Sequence, residues 1–388
     1  MDALVNDLLH ATRRVTGSGE HILHEPLFGD LEQDFVRETI SSTIVSSAGE
    51  RIVEFENLIK DFTGTSFAVA TVNGTAALQV ALTVSGLRPG DEVLIPSLTF
   101  AATASSVIHA QGVPVFIDSD SERVGLNANA LRSWLELNAS AGAETTINKS
   151  SGAKIHAVVP VHVFGHPVEI GAILEICEEF NILLVEDAAE SLGSFYKGKH
   201  TGTFGKAGMI SFNGNKTITT GGGGMILTNS EEIAVKARHL VSTAKVPHAW
   251  EYIHDAVGHN FRLPNLNAAL GVAQMKGLTA IVELQRKLFS LYLSELKPLE
   301  GFRLLAEPSD SRSNYWLQSI VLDKNKSHLR DELLETFTSD GLKVRPAWRP
   351  LHLLPPYAMY QRTSMEGTED LYARIINLPS SPKFAVGK

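Results

Sequence analysis

Short, near-continuously apolar runs alternate with helix-patterned stretches over the first two-thirds of this 388-residue chain, and that alternation constrains the fold more than any other feature. The runs lie at residues 67–72, 92–96, 114–118, 155–162, 182–187, 208–212 and 224–227. Ile182-Leu183-Leu184-Val185 has the uninterrupted apolar character of a strand covered on both faces. Helical stretches at 75–85, 100–110, 168–180 and 230–240 separate the runs, and each connection is long enough for a right-handed crossover. The pattern predicts an α/β/α domain around a mainly parallel, seven-stranded sheet.

Beyond Asn265 the pattern changes to helices at 265–276 and 279–296, split at Gly277 and closed by Pro298 and Gly301. A strand at 316–322, a helix over 327–340, a strand at 342–344 and a loop of Pro, Trp and Arg through Pro356 follow. These predict a smaller C-terminal α+β domain. The division expected is 1–264, an N-terminal arm with the large domain, and 265–388, connecting helices with the small one. Residues 138–151 (NASAGAETTINKSS) are small and polar, and predict an exposed loop.

Charge and cysteine content exclude several roles. Lys plus Arg number 34 against 43 Asp plus Glu, a net charge of −9 with no basic run to follow a phosphodiester backbone, so nucleic acid is not an expected partner. A single cysteine, Cys177, can neither close an internal disulfide nor build a cysteine zinc site. The expectation is a cytoplasmic protein without a metal centre. The N-terminal stretch lacks the apolar core and cleavage site of a signal peptide, and no window approaches the roughly 18 apolar residues of a membrane span.

Three segments carry chemistry. Asn73-Gly74-Thr75-Ala76-Ala77 follows a strand and opens a helix, where free amides and the macrodipole favour an anion such as phosphate. An ordinary N-cap has the same look. Glu186-Asp187-Ala188-Ala189 ends an apolar strand and places Asp187 at the carboxyl edge of the sheet, where open α/β folds bind ligands; a carboxylate capping the next helix would also sit there. Ser211-Phe212-Asn213-Gly214-Asn215-Lys216-Thr217 leads into Gly221 to Gly224, four glycines whose entropic cost suggests close backbone approach or positive φ, unless they form a flexible turn. Together these offer an amine, an anion site, a carboxylate and a flat ring, the needs of pyridoxal phosphate.

The strings TVNGTAALQVAL, DEVLIPSLTFAATASSV, VPVHVFGHP, VEDAAESLGS, GMISFNGNKTITTGGGG and VGHNFRLPNLNAALGVAQM, in that order, resemble the DegT/DnrJ/EryC1/StrS family of sugar aminotransferases, which have the fold type I PLP-transferase architecture. HEPLFGDLEQDFVRETISSTIVSSAGERIVEFE and STAKVPHAWEYIHD look most like the subgroup that aminates a nucleotide-linked 4-keto-6-deoxy-N-acetylhexosamine on the route to legionaminic acid. An enzyme acting on another keto-sugar, such as the GDP-linked precursor of perosamine, and a non-catalytic PLP- or sugar-binding protein are the alternatives. Related sugar 3-dehydratases carry histidine in place of the lysine, so Lys216 argues against them.

The resemblance implies pyridoxal phosphate as cofactor, with Lys216 as the Schiff-base lysine and Asp187 as partner of the pyridine nitrogen. Phe100 would stack on the ring, and Gly74, Thr75, Ala76 and Ser211 would surround the phosphate. Glu190 stands near the phenolic oxygen, where many relatives carry glutamine. Asn260, in Gly258-His259-Asn260-Phe261-Arg262, would reach the phosphate from the neighbouring subunit of a homodimer with shared sites. L-glutamate is the implied donor and a nucleotide keto-sugar the acceptor. Lys245, His248, Arg345 and Trp348 are expected to flank that sugar nucleotide, because a diphosphate favours cations and a base or sugar face favours an aromatic wall. Solvated loop charges and a buried Trp would give the same pattern.

Overall fold

The computed structural model describes residues 2–142 and 145–388. Seven strands lie side by side in the order Phe67–Thr71, Gly224–Thr228, Ala207–Ser211, Leu183–Asp187, Lys154–Val158, Glu92–Pro96 and Val113–Ile117. The last five are mutually parallel, and Gly224–Thr228 runs antiparallel to both its neighbours. Six carboxyl ends and the start of Gly224–Thr228 therefore meet along one edge of the sheet.

Alternate residues of each strand enter opposite cores, as the two-residue period of a strand requires. Val93 and Ile95 pack with the helices Gly74–Val84, Ala102–His109 and Glu231–Val241, whereas Leu94 packs with Ala128–Asn138 and Ile170–Glu179. Ala68 and Ala70 face a third cluster built on the helix Glu50–Thr63.

Residues 138–151 are not a free loop. Ala139–Ala141 and Thr146–Asn148 pair antiparallel, and the second strand pairs with Lys154–Val158. Their polar side chains are used internally: Asn148 Nδ2 donates to Glu92 Oε2 and Gln361 Oε1, each at 2.7 Å. Polarity suggested a loop because short strands that pair polar groups inward carry no apolar alternation. Positions 143 and 144 of that segment lie outside the described residues.

The expected break at Gly277 does not occur. Asn265–Leu296 is one helix of 32 residues. A mid-helix glycine costs about 1 kcal/mol, which the burial of Ala268, Val272 and Ile281 on one side and Leu288, Tyr292 and Leu296 further along offsets. The later residues belong to a second unit with a four-stranded antiparallel sheet, Phe302–Leu304, Gln318–Leu322, Ile375–Leu378 and Arg345–Pro346. The strand expected at 342–344 thus pairs at Arg345–Pro346, while Leu342 bridges His21.

The N-terminal helix Ala3–Thr16 also departs from expectation. Its apolar stripe, Leu4, Val5, Leu8, Ala11 and Val15, packs into the smaller unit against Leu333 and Phe337. An amphipathic stripe specifies that a core is needed but not which one. Among the described residues no helix is long and apolar enough to cross a membrane.

Candidate active site

At the carboxyl edge of the sheet lies a cavity of about 390 Å³, within the range of small-ligand sites. Segments following four strands wall it: Asn73, Gly74 and Thr75; Thr99 and Phe100; Asp187, Ala189 and Glu190; Ser211, Asn213, Asn215 and Lys216. The smaller unit adds Trp316 and Trp348.

Asp187 terminates its strand inside the protein. Thr103 Oγ1 donates to its Oδ2 at 2.8 Å and the Ala189 amide to its Oδ1 at 3.1 Å. Burial pushes this carboxyl above the usual carboxylate range, and the two hydrogen bonds and the Lys216 and His162 charges oppose the rise only in part. Its charge is left undercompensated within the chain. Glu190, equally buried, is raised for the same first reason, with Lys216 opposing. It accepts from the Phe164 amide at 2.9 Å and from Lys216 Nζ at 3.1 Å.

Lys216 is held from two directions. Besides Glu190, the face of Trp316 lies under its Nζ, 4.0 Å from the ring centroid. The Trp316 indole N–H in turn donates to the Asn215 carbonyl at 2.6 Å. Behind Trp316 sits His24, buried, with Gln285 Nε2 2.9 Å from its Nε2. Burial and then the Lys216 charge lower His24 to about 3.

The glycine run is structural at its ends. Gly221 adopts φ +77°, and a Cβ on Gly224 would lie 2.5 Å from the Asn73 carbonyl oxygen. The run therefore brings Gly224–Thr228 against the start of the helix Gly74–Val84, and the flexible-turn reading fails. Gly74 also packs against Ser211, whose Cβ would be 3.0 Å from an added one.

Of the residues expected from sequence, Gly74, Thr75, Phe100, Asp187, Glu190, Ser211, Lys216 and Trp348 line this one cavity. Ala76 does not line it; its amide donates to Asn73 Oδ1 at 2.7 Å, completing an N-cap. Asn260 is exposed and bridges Ser242. Lys245 and His248 belong to a projecting hairpin, Lys245–Val246 paired with Ile253–His254, in which Lys245 Nζ lies 4.0 Å from the Tyr252 ring centroid. Arg345 is exposed, and its guanidinium donates to the Val344 carbonyl at 3.1 Å. None of these four lines the cavity.

Sequence reasoning missed Thr103, Trp316 and His24. Thr103 lies one turn from Phe100 and had a signal in that spacing; Trp316 and His24 come from distant segments and had none. It also missed Asn314, whose Nδ2 donates to the carbonyls of Glu190 and Leu192 and to Thr217 Oγ1, binding both sides of the site together.

The donor set fits pyridoxal phosphate. Asp187 offers an undercompensated buried carboxylate to a protonated ring nitrogen, Lys216 an accessible amine, and the first turn after Asn73 backbone amides with no intrahelical acceptor.

Comparison with known proteins agrees. The DegT/DnrJ/EryC1/StrS aminotransferase family model matches residues 27–387. EpsN of Bacillus subtilis is 37% identical over 362 residues, covering 92% of this chain and 90% of that protein. A GDP-perosamine synthase of Caulobacter vibrioides is 35% identical over 352 residues, 90% of each. The crystal structure of a DegT DnrJ EryC1 StrS aminotransferase from Brucella abortus aligns with a TM-score of 0.82 at 27% identity, covering 91% of both chains. The architecture is that of fold type I. The chain belongs to the DegT/DnrJ/EryC1/StrS aminotransferase family and is, with it, a pyridoxal phosphate-dependent sugar aminotransferase.

Proposed function

We propose that the protein moves an amino group from L-glutamate to the keto carbon of a nucleotide-linked 4-keto-6-deoxy-N-acetylhexosamine. The observation that carries the chemistry is the meeting of Lys216, Asp187 and Glu190 in one cavity at the sheet edge. When bound, pyridoxal phosphate supplies an electron sink that makes the donor Cα–H acidic. The Lys216 amine takes the Cα proton as general base and returns one as general acid, the dual role a freely rotating amine can fill. Glu190, at 3.1 Å, stabilises the ammonium form between those steps. The Asp187 carboxylate would hold the ring N–H, and Thr103 fixes the direction in which the carboxylate points. Gly74, Thr75 and Ser211 would hold the phosphate.

Asn260, exposed on one protomer, is assigned to the partner's phosphate site in a homodimer, and the hairpin carrying Lys245 and His248 to the partner's substrate. Trp348 and Arg345 are the smaller unit's contribution to the same sugar nucleotide. A GDP-linked keto-sugar is the second reading, favoured by relatives named GDP-perosamine synthase from Caulobacter vibrioides and from Escherichia coli O157:H7, the latter 34% identical over 370 residues.

The deciding experiment is mass spectrometry of products from a panel of UDP- and GDP-linked keto-sugars incubated with L-glutamate. Fastest amination of the N-acetylated 4-keto-6-deoxy sugar is expected. Preference for a GDP-linked 4-keto-6-deoxy sugar without the N-acetyl group would establish the second reading instead, and no amination of any member would overturn both.

A further inference from the structure

Away from the cofactor residues three side chains stand in line. Ser97 Oγ lies 2.7 Å from His352 Nδ1, and His352 Nε2 lies 3.1 Å from Glu369 Oε1. The order hydroxyl, imidazole, carboxylate matches a nucleophile relay. Ser97, however, is fully buried and does not line the cavity, so it cannot meet a substrate. The arrangement is a fastener.

Its hydrogen bonds select one tautomer. The His352 backbone N–H donates to Ser97 Oγ at 3.2 Å, so the hydroxyl proton turns toward Nδ1 and the ring N–H is left on Nε2 for Glu369. Beside it, the Leu351 amide donates to the Ser97 carbonyl at 2.9 Å. Glu369 stands on the helix Glu366–Arg374, whose first turn is tied to the large sheet: Asp118 accepts from the Gly367 amide at 2.9 Å and the Thr368 amide at 2.7 Å. Ser97 follows Glu92–Pro96 and Asp118 follows Val113–Ile117, two paired parallel strands. The contacts thus close a ring from one strand, through the smaller unit, to the neighbouring strand.

The ring sits beside two walls of the cavity. Phe100 is three residues beyond Ser97, and Trp348 is four residues before His352. Trp348 is braced on its other side by Phe164, ring centroids 5.0 Å apart. We propose that Ser97, His352 and Glu369 are positioning residues that hold Phe100 and Trp348 at a fixed separation, and so set the opening through which the sugar nucleotide reaches Lys216. This rests on the sugar-nucleotide reading above, and the test keeps the two apart.

The test combines amide hydrogen exchange with steady-state kinetics on holoenzyme of His352→Phe, Glu369→Leu and Glu369→Gln. In His352→Phe, exchange in peptides covering 97–103 and 347–353 is expected to quicken about tenfold, the factor corresponding to one buried hydrogen bond of about 1.4 kcal/mol. KM for the keto-sugar should rise by a similar factor, and by more than KM for glutamate or kcat changes. Glu369→Leu, altered at an exposed position, should show a smaller version of both effects and serves if His352→Phe does not fold. Glu369→Gln keeps an acceptor and should behave as wild type. Unchanged exchange in both segments overturns the proposal, as does faster exchange with an unmoved keto-sugar KM, which a merely structural contact would give. If no keto-sugar is aminated by wild type, the sugar-nucleotide reading fails, and with it the role assigned to the ring, whatever the exchange shows.

Discussion

The cavity floor and the projecting hairpin are built on opposite terms. Around Asp187, Glu190 and Lys216 the polar side chains are buried and engaged within the chain. The hairpin instead leaves Trp250 and Tyr252 80% and 81% exposed and Val257 92% exposed. The chain enters it through Thr243 and Ala244, two consecutive non-glycine residues at positive φ, 64° and 51°, a conformation persisting only where its surroundings enforce it; here Gly258 packs directly on them, with room for no side chain. The side chains expected at the reacting atoms, Lys216, Asp187 and Glu190, are thus held within one chain. The proposed recognition of substrate by the hairpin would use a surface whose apolar residues this chain alone leaves exposed.

The predictions probe that contrast. Lys216→Ala should lower turnover by about 100- to 10⁴-fold, the range for a lost general acid–base, with the fold intact by circular dichroism; a smaller loss would move the chemistry elsewhere. Asp187→Asn should slow it by about 10- to 100-fold, the loss of a charge-assisted hydrogen bond of about 1.5–3 kcal/mol.

His24 offers a test by pH. Its folded value, about 3, lies below the ordinary 6.5, so the unfolded chain binds the extra proton first as pH falls. Its contribution to stability is complete above about 6.5 and declines toward 3, by about 1.4 kcal/mol per pH unit. Urea unfolding at pH 6.5 and 5.5, where the unfolded imidazole goes from half to nearly full protonation, should therefore show a pH dependence smaller by about 1 kcal/mol in His24→Gln.

Two further outcomes concern the hairpin side. Co-expressing Lys216→Ala with Asn260→Ala at limiting cofactor should recover about a quarter of wild-type activity, since random pairing makes roughly half the dimers mixed with one intact site each. No recovery would place both residues in one chain's site. Lys245→Ala should raise the keto-sugar KM about threefold, a typical effect of an exposed charge contact, without altering the acid response of His24.

What the sequence revealed follows the same division. Strand-end residues could be placed because apolar runs locate the sheet edge and Asp187, Lys216 and the glycine run fall just beyond such runs. Ala76, expected beside the phosphate, instead turns its amide to Asn73 Oδ1, since an amide that is free and one that caps are indistinguishable in a string of letters. Trp316, His24 and the Ser97–His352 contact join segments more than 90 residues apart, and no local periodicity records such meetings. Lys245 and His248 were singled out for the attraction of a diphosphate to cations, and the structure places them on a hairpin away from the cavity.

One helix has a mechanical consequence. Asn265–Leu296 spans about 48 Å at 1.5 Å per residue, embedding Ala268 to Val282 in the larger unit and Leu288 to Leu296 in the smaller. The second half also receives the chain's first helix and its last turn, through Leu8 and Phe384. Melting either unit would strip this helix of half its burial, and melting the smaller one would release both chain ends as well, so neither unit can lose its structure without undermining the other. Heat or denaturant should therefore take the protomer apart in a single cooperative transition.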